Sequence, residues 1–331
     1  MRVLLTGGTG FIGSHTAVEM TQNGHDIVIL DNFSNSDESV LVRLEEIIGK
    51  PIIFEEGDIR DYDRLYDVLK KHNIEAVVHF AGLKAVGESC AMPIEYFDNN
   101  VAGTITLLRA MKALSIKKLI FSSSATVYGI PQYLPFDEKH PLSCTNPYGR
   151  TKLHIEEILR DVAASDPEWS IVSLRYFNPI GAHASGLIGE NPRGIPNNLV
   201  PYIARVANGQ LKAVQVFGYD YDTPDGTGVR DYIHVVDLAY GHVCAANYSA
   251  KKRGWIAINL GTGIGYSVLD IIRAYERACG KPIPYQLVDR RPGDVAAFWA
   301  DPKLAKELLG WEAKLSLQDM CESSWEFQQN C

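Results

Sequence analysis

The sequence predicts an α/β protein: a doubly wound parallel sheet with a second, smaller mixed α/β lobe. Three observations carry this. Short, almost wholly apolar segments alternate with helix-period segments through the first half of the chain, the pattern of parallel strands covered on both faces. The first of those strands runs into a glycine-rich loop that opens a helix, and the second delivers an acid. After about Phe177 the elements shorten and mix, with no linker rich in Pro, Gly or Ser, so the second lobe packs on the first without a flexible hinge.

Arg2 to Thr6 is the first strand, and Gly7-Gly8-Thr9-Gly10-Phe11-Ile12-Gly13 follows it. Apolar positions then recur at helical spacing through Ile12, Ala17, Val18 and Met20, until Asn23-Gly24 ends the helix. The loop satisfies G-x-G-x-x-G from Gly8, where a side chain would keep a pyrophosphate away from the helix N–H groups. The second strand, Asp26-Ile27-Val28-Ile29-Leu30, delivers Asp31, placed about 20 residues on to accept from ribose hydroxyls. A 2′-phosphate would be repelled there, so the expected dinucleotide is NAD and the expected arrangement is Rossmann-like.

The alternation continues with a strand at Pro51-Ile52-Ile53-Phe54, an amphipathic helix from Tyr62 to Lys71 and a buried strand Ala76-Val77-Val78-His79-Phe80. That strand empties into Ala81-Gly82-Leu83-Lys84; a long helix from about Pro93 to Ala113 and the strand Lys118-Leu119-Ile120-Phe121-Ser122 follow. Ligands of such sheets sit at the carboxyl ends of strands, where Asp31, Asp58, Gly82, Lys84 and Ser124 all fall. His79 lies within an apolar strand and reads as a packed core histidine. The second half offers a helix near Val200–Asn208, the strand Val214-Gln215-Val216, a helix from Val235 to Ala246 and the strand Ile256–Leu260. Helices at Ser267–Cys279 and about Leu317–Phe327 close it, and the polar stretch Tyr219–Asp231 reads as a loop over substrate.

Composition narrows the partners. The chain has 331 residues, 46% hydrophobic and 22% charged, with a net charge of −8, which argues against a nucleic-acid backbone. No apolar run is long enough to span a membrane, and the first residues enter a strand instead of forming a signal peptide. Six scattered cysteines without a C-x-x-C fit reduced thiols in the cytoplasm, and no metal site.

Asn146-Pro147-Tyr148-Gly149-Arg150-Thr151-Lys152 opens a further helix and puts Tyr148 and Lys152 on one face. A phenol titrates near 10; bringing it near 7 takes roughly three units, about 4 kcal/mol of preference for the phenolate. An adjacent ammonium and an oxidised nicotinamide would both favour it. The run Ser122-Ser123-Ser124 leaves a strand, and a hydroxyl there can share a substrate hydrogen bond with the tyrosine.

Together the glycine loop, Phe80-Ala81-Gly82, the serine run and Tyr-x-x-x-Lys resemble the extended short-chain dehydrogenase/reductases. Longer stretches resemble their UDP-glucose (UDP-galactose) 4-epimerase branch: His79–Ser89, Leu174-Arg175-Tyr176-Phe177-Asn178-Pro179, Gly194-Ile195-Pro196-Asn197-Asn198-Leu199 and Asp225–Val235. The resemblance spans nearly the whole chain, although the chain stops at Cys331, short of that branch's usual tail.

It implies an isomerase of nucleotide-sugar metabolism that oxidises sugar C4, lets the 4-keto sugar turn over and reduces it again. NAD would be tightly bound and regenerated in each cycle. Tyr148 would be general base and acid at the 4-hydroxyl, with Lys152 and Ser124 beside it. Gly7, Gly10, Phe11, Ile12, Gly13, Asp31, Asn32, Asn35, Ser36, Asp58, Ile59, Phe80, Ala81, Gly82, Lys84, Asn99 and Phe177 would line the cofactor, along with Ser124, Tyr148 and Lys152. Asn178, Asn198, Leu199, Phe217, Arg230, Arg291, Asp294 and Phe298 would meet the UDP-sugar, as would Lys84, Ser124 and Tyr148. Arg230 and Arg291 suit a diphosphate physically, although Asp289 and Asp294 flank Arg290-Arg291 and could pair with them instead.

The expected cofactor domain is residues 1–177, with 231–262 returning to it; residues 178–230 and 263–331 form the UDP-sugar domain. Family members are typically homodimers pairing two helices, and the apolar stripes of Pro93–Ala113 and Leu153–Leu159 suit that or a sheet-facing role. Three further readings are set against this one. At position 298 glucose-restricted bacterial members usually carry tyrosine, and Phe298 keeps the bulk without the hydroxyl, so UDP-N-acetylhexosamine or UDP-pentose epimerisation is the alternative. A 4,6-dehydratase would carry Asp-Glu where this chain has Ala125-Thr126. A non-catalytic NAD-binding regulator would need neither Tyr148, Lys152 nor Ser124.

Overall fold

The apolar strands of the first half are each followed by helical segments that carry the chain back, and the strands therefore stack in parallel. In the computed structural model, which describes residues 1–192, 194–291 and 293–331, seven of them form one parallel sheet. Its order is Gly254–Leu260, Ser170–Tyr176, Lys118–Ser124, Ala76–His79, Arg2–Thr6, Asp26–Asp31 and Ile53–Glu56. Side chains alternate between the faces. Val3, Leu5, Ile27 and Ile29 pack under the helices Phe11–Gln22 and Val235–Ser249. Leu4, Val28 and Leu30 pack on the other face, with Tyr62–Lys71, Gly103–Ala113 and Pro147–Ser165. Strand order reverses between Arg2–Thr6 and its neighbour Ala76–His79, which opens a crevice at their carboxyl ends. His79 is a core residue as expected, 1% exposed and hydrogen-bonded to Thr6 and Thr104 hydroxyls at 2.7 and 3.0 Å.

A second set of elements forms a smaller lobe. Val229–His234 pairs with Asn178–Ile180, Gly265–Ser267 and Ala297–Phe298, and Val214–Phe217 pairs in parallel with Tyr285–Val288. Helices Leu199–Ala207, Val268–Cys279 and Leu317–Gln329 enclose a separate core around Ile203, Ile271, Tyr275 and Met320. Helices Ser39–Ile48, Val86–Ala91 and Lys303–Leu309 complete the elements beyond those read from periodicity.

Several local expectations are corrected. The third strand starts at Ile53 instead of Pro51, because proline offers no N–H to a neighbouring strand. The helix expected from Pro93 to Ala113 is three pieces, with a π-helical turn at Phe97–Ala102 between Pro93–Tyr96 and Gly103–Ala113. That turn accompanies the inward placement of Asn100, which bonds the Leu83 carbonyl and Thr151 at 3.0 Å each. The polar stretch Tyr219–Asp231 is a loop only as far as Gly228. Its last three residues enter the strand Val229–His234, and that strand belongs to the small sheet; the chain rejoins the large sheet through Val235–Ser249 and Gly254–Leu260.

Asp231 shows why that strand cannot be a loop. It is fully buried and accepts four hydrogen bonds: from Thr262 N (2.9 Å), Thr262 Oγ1 (2.6 Å), Gly263 N (3.0 Å) and Ala300 N (3.1 Å). An ionised carboxylate is acceptor-only and serves all four. Asp231→Asn turns an NH₂ toward two of those donors and is expected to cost about 3 kcal/mol. Urea unfolding measures it, and a midpoint equal to that of the unsubstituted chain rejects it.

Candidate active site

The glycine loop sits at the switch point. Gly7 has φ +69°, and a Cβ there would lie 2.7 Å from Ala81 N, so only glycine lets the first strand turn this close to Ala81. Phe80 and Ala81 both donate their N–H to the Thr6 carbonyl at 3.0 Å. A Cβ on Gly13 would lie 2.3 Å from the Gly7 carbonyl, so helix and loop touch. Among the described residues no side chain caps Gly10 at the head of the helix Phe11–Gln22, which leaves its first N–H groups to an outside acceptor.

Asp31, 8% exposed, is held at the end of its strand by Thr9 N (3.1 Å), Phe33 N (3.0 Å) and Ser36 Oγ (3.3 Å). Asn32 donates to Asp58 at 3.2 Å, and Asn35 is exposed on the same loop. Arg60 forks onto both Asp58 oxygens and holds that carboxyl below its usual range, while Ile59 is buried in the core. Gly82 lies against Asn100, and Asn99 donates to the Asn100 amide oxygen at 3.0 Å. These residues fit a dinucleotide: an uncapped helix head for the pyrophosphate and a fixed carboxylate one strand away.

Tyr148, Lys152 and Ser124 come next along the sheet edge. Asn146 caps the helix Pro147–Ser165 by accepting from Gly149 N at 2.8 Å, which sets the half-buried Tyr148 in the first turn. Burial holds the Tyr148 phenol above its ordinary value, and a hydrogen bond with Ser124 opposes this. Ser124 accepts from Thr126 Oγ1 at 2.9 Å and Thr126 N at 3.2 Å. The Lys152 ammonium donates to the Ser122 carbonyl at 2.6 Å and lies 4.9 Å from the Phe121 ring centre. Burial pulls it down to about 8, with Glu156 opposing. The ammonium is thus tied to the strand backbone, and burial is the dominant influence on the phenol.

The small lobe contributes two clusters. In one, Arg291 donates to Asp294 at 3.0 Å, its guanidinium lies 4.7 Å from the Phe217 ring centre, and Arg230 approaches Asp294 at 3.9 Å. Arg290 leaves this group, pairing with Asp220 at 2.7 Å and stacking on Tyr221. The anticipated pairing with a flanking acid is therefore real for Arg291 and Asp294. In the other cluster, Glu190 accepts from Asn198 at 2.6 Å and from Lys84 at 3.3 Å, joining the two lobes. Leu199 opens the adjoining helix and Asn178 sits exposed on its strand. Phe177 and Phe298 lie 5.3 Å apart, each also against Phe136.

Comparisons agree with this geometry. A family model described as GDP-mannose 4,6 dehydratase matches residues 4–324. The chain is 57% identical over 328 residues to the UDP-glucose 4-epimerase of Bacillus subtilis, covering 99% of this chain and 97% of that one. The chain belongs to the UDP-glucose 4-epimerase family. The crystal structure of that enzyme from Stenotrophomonas maltophila, with NAD and formylated UDP-arabinopyranose, superposes with a TM-score of 0.98 at 52% identity. It covers 100% of this chain and 98% of that one. The Bifidobacterium longum enzyme with NAD+ and UDP gives 0.96 at 57% identity, with the same coverage.

Sequence reasoning missed Glu190, Asn100 and Glu156. Glu156 follows Lys152 at the spacing by which Lys152 follows Tyr148, a visible signal; Glu190 carries none.

Proposed function

We propose that this chain interconverts UDP-galactose and UDP-glucose with NAD retained through the cycle. One observation carries the reading: Ser124, Tyr148 and Lys152 stand at the sheet's carboxyl edge, beyond a glycine loop suited to a dinucleotide. Membership of Gly254–Leu260 in the large sheet supports a cofactor lobe of residues 1–177 with 231–262 returning to it, although residues 231–234 pair in the small sheet, and a UDP-sugar lobe of residues 178–230 and 263–331, from which Lys303–Leu309 packs back on the large-sheet core.

Bound NAD supplies the acceptor and donor for the hydrogen on sugar C4 and, oxidised, a positive charge that favours the phenolate. Tyr148 removes the 4-hydroxyl proton and returns it, with Ser124 sharing the hydrogen bond. Lys152 steadies the developing negative charge on the phenol oxygen. Gly7, Gly10, Gly13, Asp31, Asn32, Asp58 and their neighbours hold the dinucleotide. Arg230 and Arg291 grip the diphosphate as charge-assisted forks, and Asn178, Asn198, Leu199 and Phe217 complete the uridine and sugar contacts. A tight anchor on the diphosphate with few fixed contacts on the hexose leaves the 4-keto sugar free to present either face.

A second reading, a 4,6-dehydratase, is suggested by the family model's description. Thr126 spends its hydroxyl on Ser124 and Ala125 has none, so an extra acid–base pair is missing at those positions. The deciding experiment incubates purified protein with UDP-galactose, without added NAD, and looks for UDP-glucose; no conversion refutes the reading. Phe298, beside Phe177, keeps the sugar end bulky, so UDP-N-acetylglucosamine is expected to turn over at least tenfold more slowly. Comparable turnover of both sugars excludes that restriction.

The reading extends to a homodimer in the cytoplasm. Ile94 is 78% and Ile105 42% exposed beside Phe97 and Val101, an apolar strip on the Pro93–Ala113 segment. Among the described residues no helix is long and apolar enough to cross a membrane. Sedimentation is expected to give twice the chain mass, and a monomer at micromolar concentration rules the dimer out.

A further inference from the structure

The buried ion pair of Glu156 with Arg175 has no part in the chemistry above. Both side chains are 2% exposed. Burying two charges costs several kcal/mol per ion, and apolar residues of the same volume often serve stability better. Its placement gives it another use. Tyr148, Lys152 and Glu156 follow one another at four-residue spacing on one helix face. Glu156 Oε1 accepts from Arg175 Nε at 3.0 Å and from the Ser123 hydroxyl, while Oε2 accepts from Arg175 Nη2 at 2.6 Å. Ser123 and Arg175 are register partners on adjacent strands, and Ser123 immediately precedes Ser124.

We propose that Glu156 and Arg175 are positioning residues of the reaction: their forked pair holds the helix bearing Tyr148 and Lys152 in register with the strand bearing Ser124. A planar guanidinium fork fixes an angle as well as a distance, which apolar packing does not. The remaining Arg175 nitrogen donates to the Tyr128 hydroxyl at 3.0 Å. Tyr128 donates to Asn259 at 2.6 Å, and Asn259 donates to the Phe136 carbonyl at 2.9 Å. The Phe136 ring lies 4.6 Å from Phe298, so the same chain of bonds reaches the aromatic wall at the sugar end. The inference rests on the epimerase reading above.

The pair also bears on the Lys152 charge. Glu156 supports the ammonium against burial. Facing it from the neighbouring strand is His79, held neutral with its value pushed down to about 3. Tyr148 lies one turn back, with Tyr176 and Tyr96 beside it and Glu88 on the Tyr96 hydroxyl. Neutralising Glu156 therefore lets Lys152 lose its proton at lower pH. Neutralising Arg175 leaves the Glu156 charge uncompensated and does the opposite.

The test is a set of pH–rate profiles for UDP-galactose interconversion by Glu156→Gln, Arg175→Gln and the double variant, with KM, bound NAD and melting temperature. Each folded variant is expected to lose kcat by about 10- to 100-fold, as a misplaced reacting group does, with KM and bound NAD within about twofold. The alkaline limb is expected to move down in Glu156→Gln and up in Arg175→Gln, by about one unit. Should a single variant fail to fold, the double variant, which leaves no buried charge unpaired, carries the test through its kcat at unchanged KM. Folded variants with kcat near that of the unsubstituted chain, or limbs moving together while activity tracks the folded fraction, overturn the proposal. An unsubstituted chain that converts no UDP-galactose overturns the function itself; an active one with indifferent variants removes only the positioning role.

Discussion

Tyr148→Phe is expected to lower the interconversion of UDP-galactose and UDP-glucose by about three orders of magnitude while the protein keeps its NAD. General acid–base transfer contributes about 10²–10⁴-fold, and the substitution removes only the oxygen that carries the proton. The ring stays, so packing around the first turn of its helix is preserved, and the Asn146 cap to Gly149 N at 2.8 Å is untouched. Two readouts are needed: the rate with UDP-galactose, and the NAD released on denaturation. Retained activity removes Tyr148 from the reaction; lost activity with lost NAD shows instead that the ring's hydroxyl holds the cofactor site together. The structure sharpens the expectation because burial keeps the phenol above its ordinary value, so the phenolate is scarce until a positive charge is bound. Activity should consequently rise with pH as the phenol ionises and fall as Lys152 loses its proton. Burial pulls the Lys152 ammonium down to about 8, which places the falling limb below the ordinary lysine range.

Arg230→Ala is expected to raise KM for UDP-galactose by about 100-fold with kcat reduced far less. A hydrogen bond to a charged group is worth about 1.5–3 kcal/mol, and its loss acts on ground and transition states alike because the diphosphate does not react. Truncation also leaves Asp294 with one cation fewer, since Arg230 and Arg291 both approach that carboxylate. Arg290→Ala is the internal control: its partners are Asp220 and the Tyr221 ring, and KM should stay within about twofold, well under the 1.4 kcal/mol that a tenfold change represents. Equal effects at Arg230 and Arg290 would place the diphosphate elsewhere.

Much of this architecture is legible from local pattern. Strand residues such as Val3, Leu4 and Leu5 are apolar on both faces because the sheet is covered on both, and that alone announces a parallel sheet. The glycines at 10 and 13 reflect backbone contacts within one loop, whereas Gly7 answers to Ala81 at the end of another strand; Tyr148 with Lys152 reflects the pitch of one helix. Where physics beyond the local segment intervened, the reading went astray. The π-helical turn at Phe97–Ala102 accompanies the bonds of Asn100 to Leu83 and Thr151, partners from other elements. Asp231 looks like one more polar residue of a loop, yet three N–H groups and a hydroxyl from distant segments converge on it.

Short-range periodicity and turn chemistry were enough to declare the parallel sheet, the dinucleotide loop with its acid, and the phenol and ammonium sharing a helix face. Which group each charge actually meets was settled only by the folded chain: Lys152 on the Ser122 carbonyl, Glu190 joining Lys84 to Asn198, Arg291 and not Arg290 beside Asp294. The reason is physical. Backbone geometry repeats over a few residues and writes itself into spacing, whereas a charge's partner depends on which distant segments the packed core brings within about 4 Å, and no spacing records that.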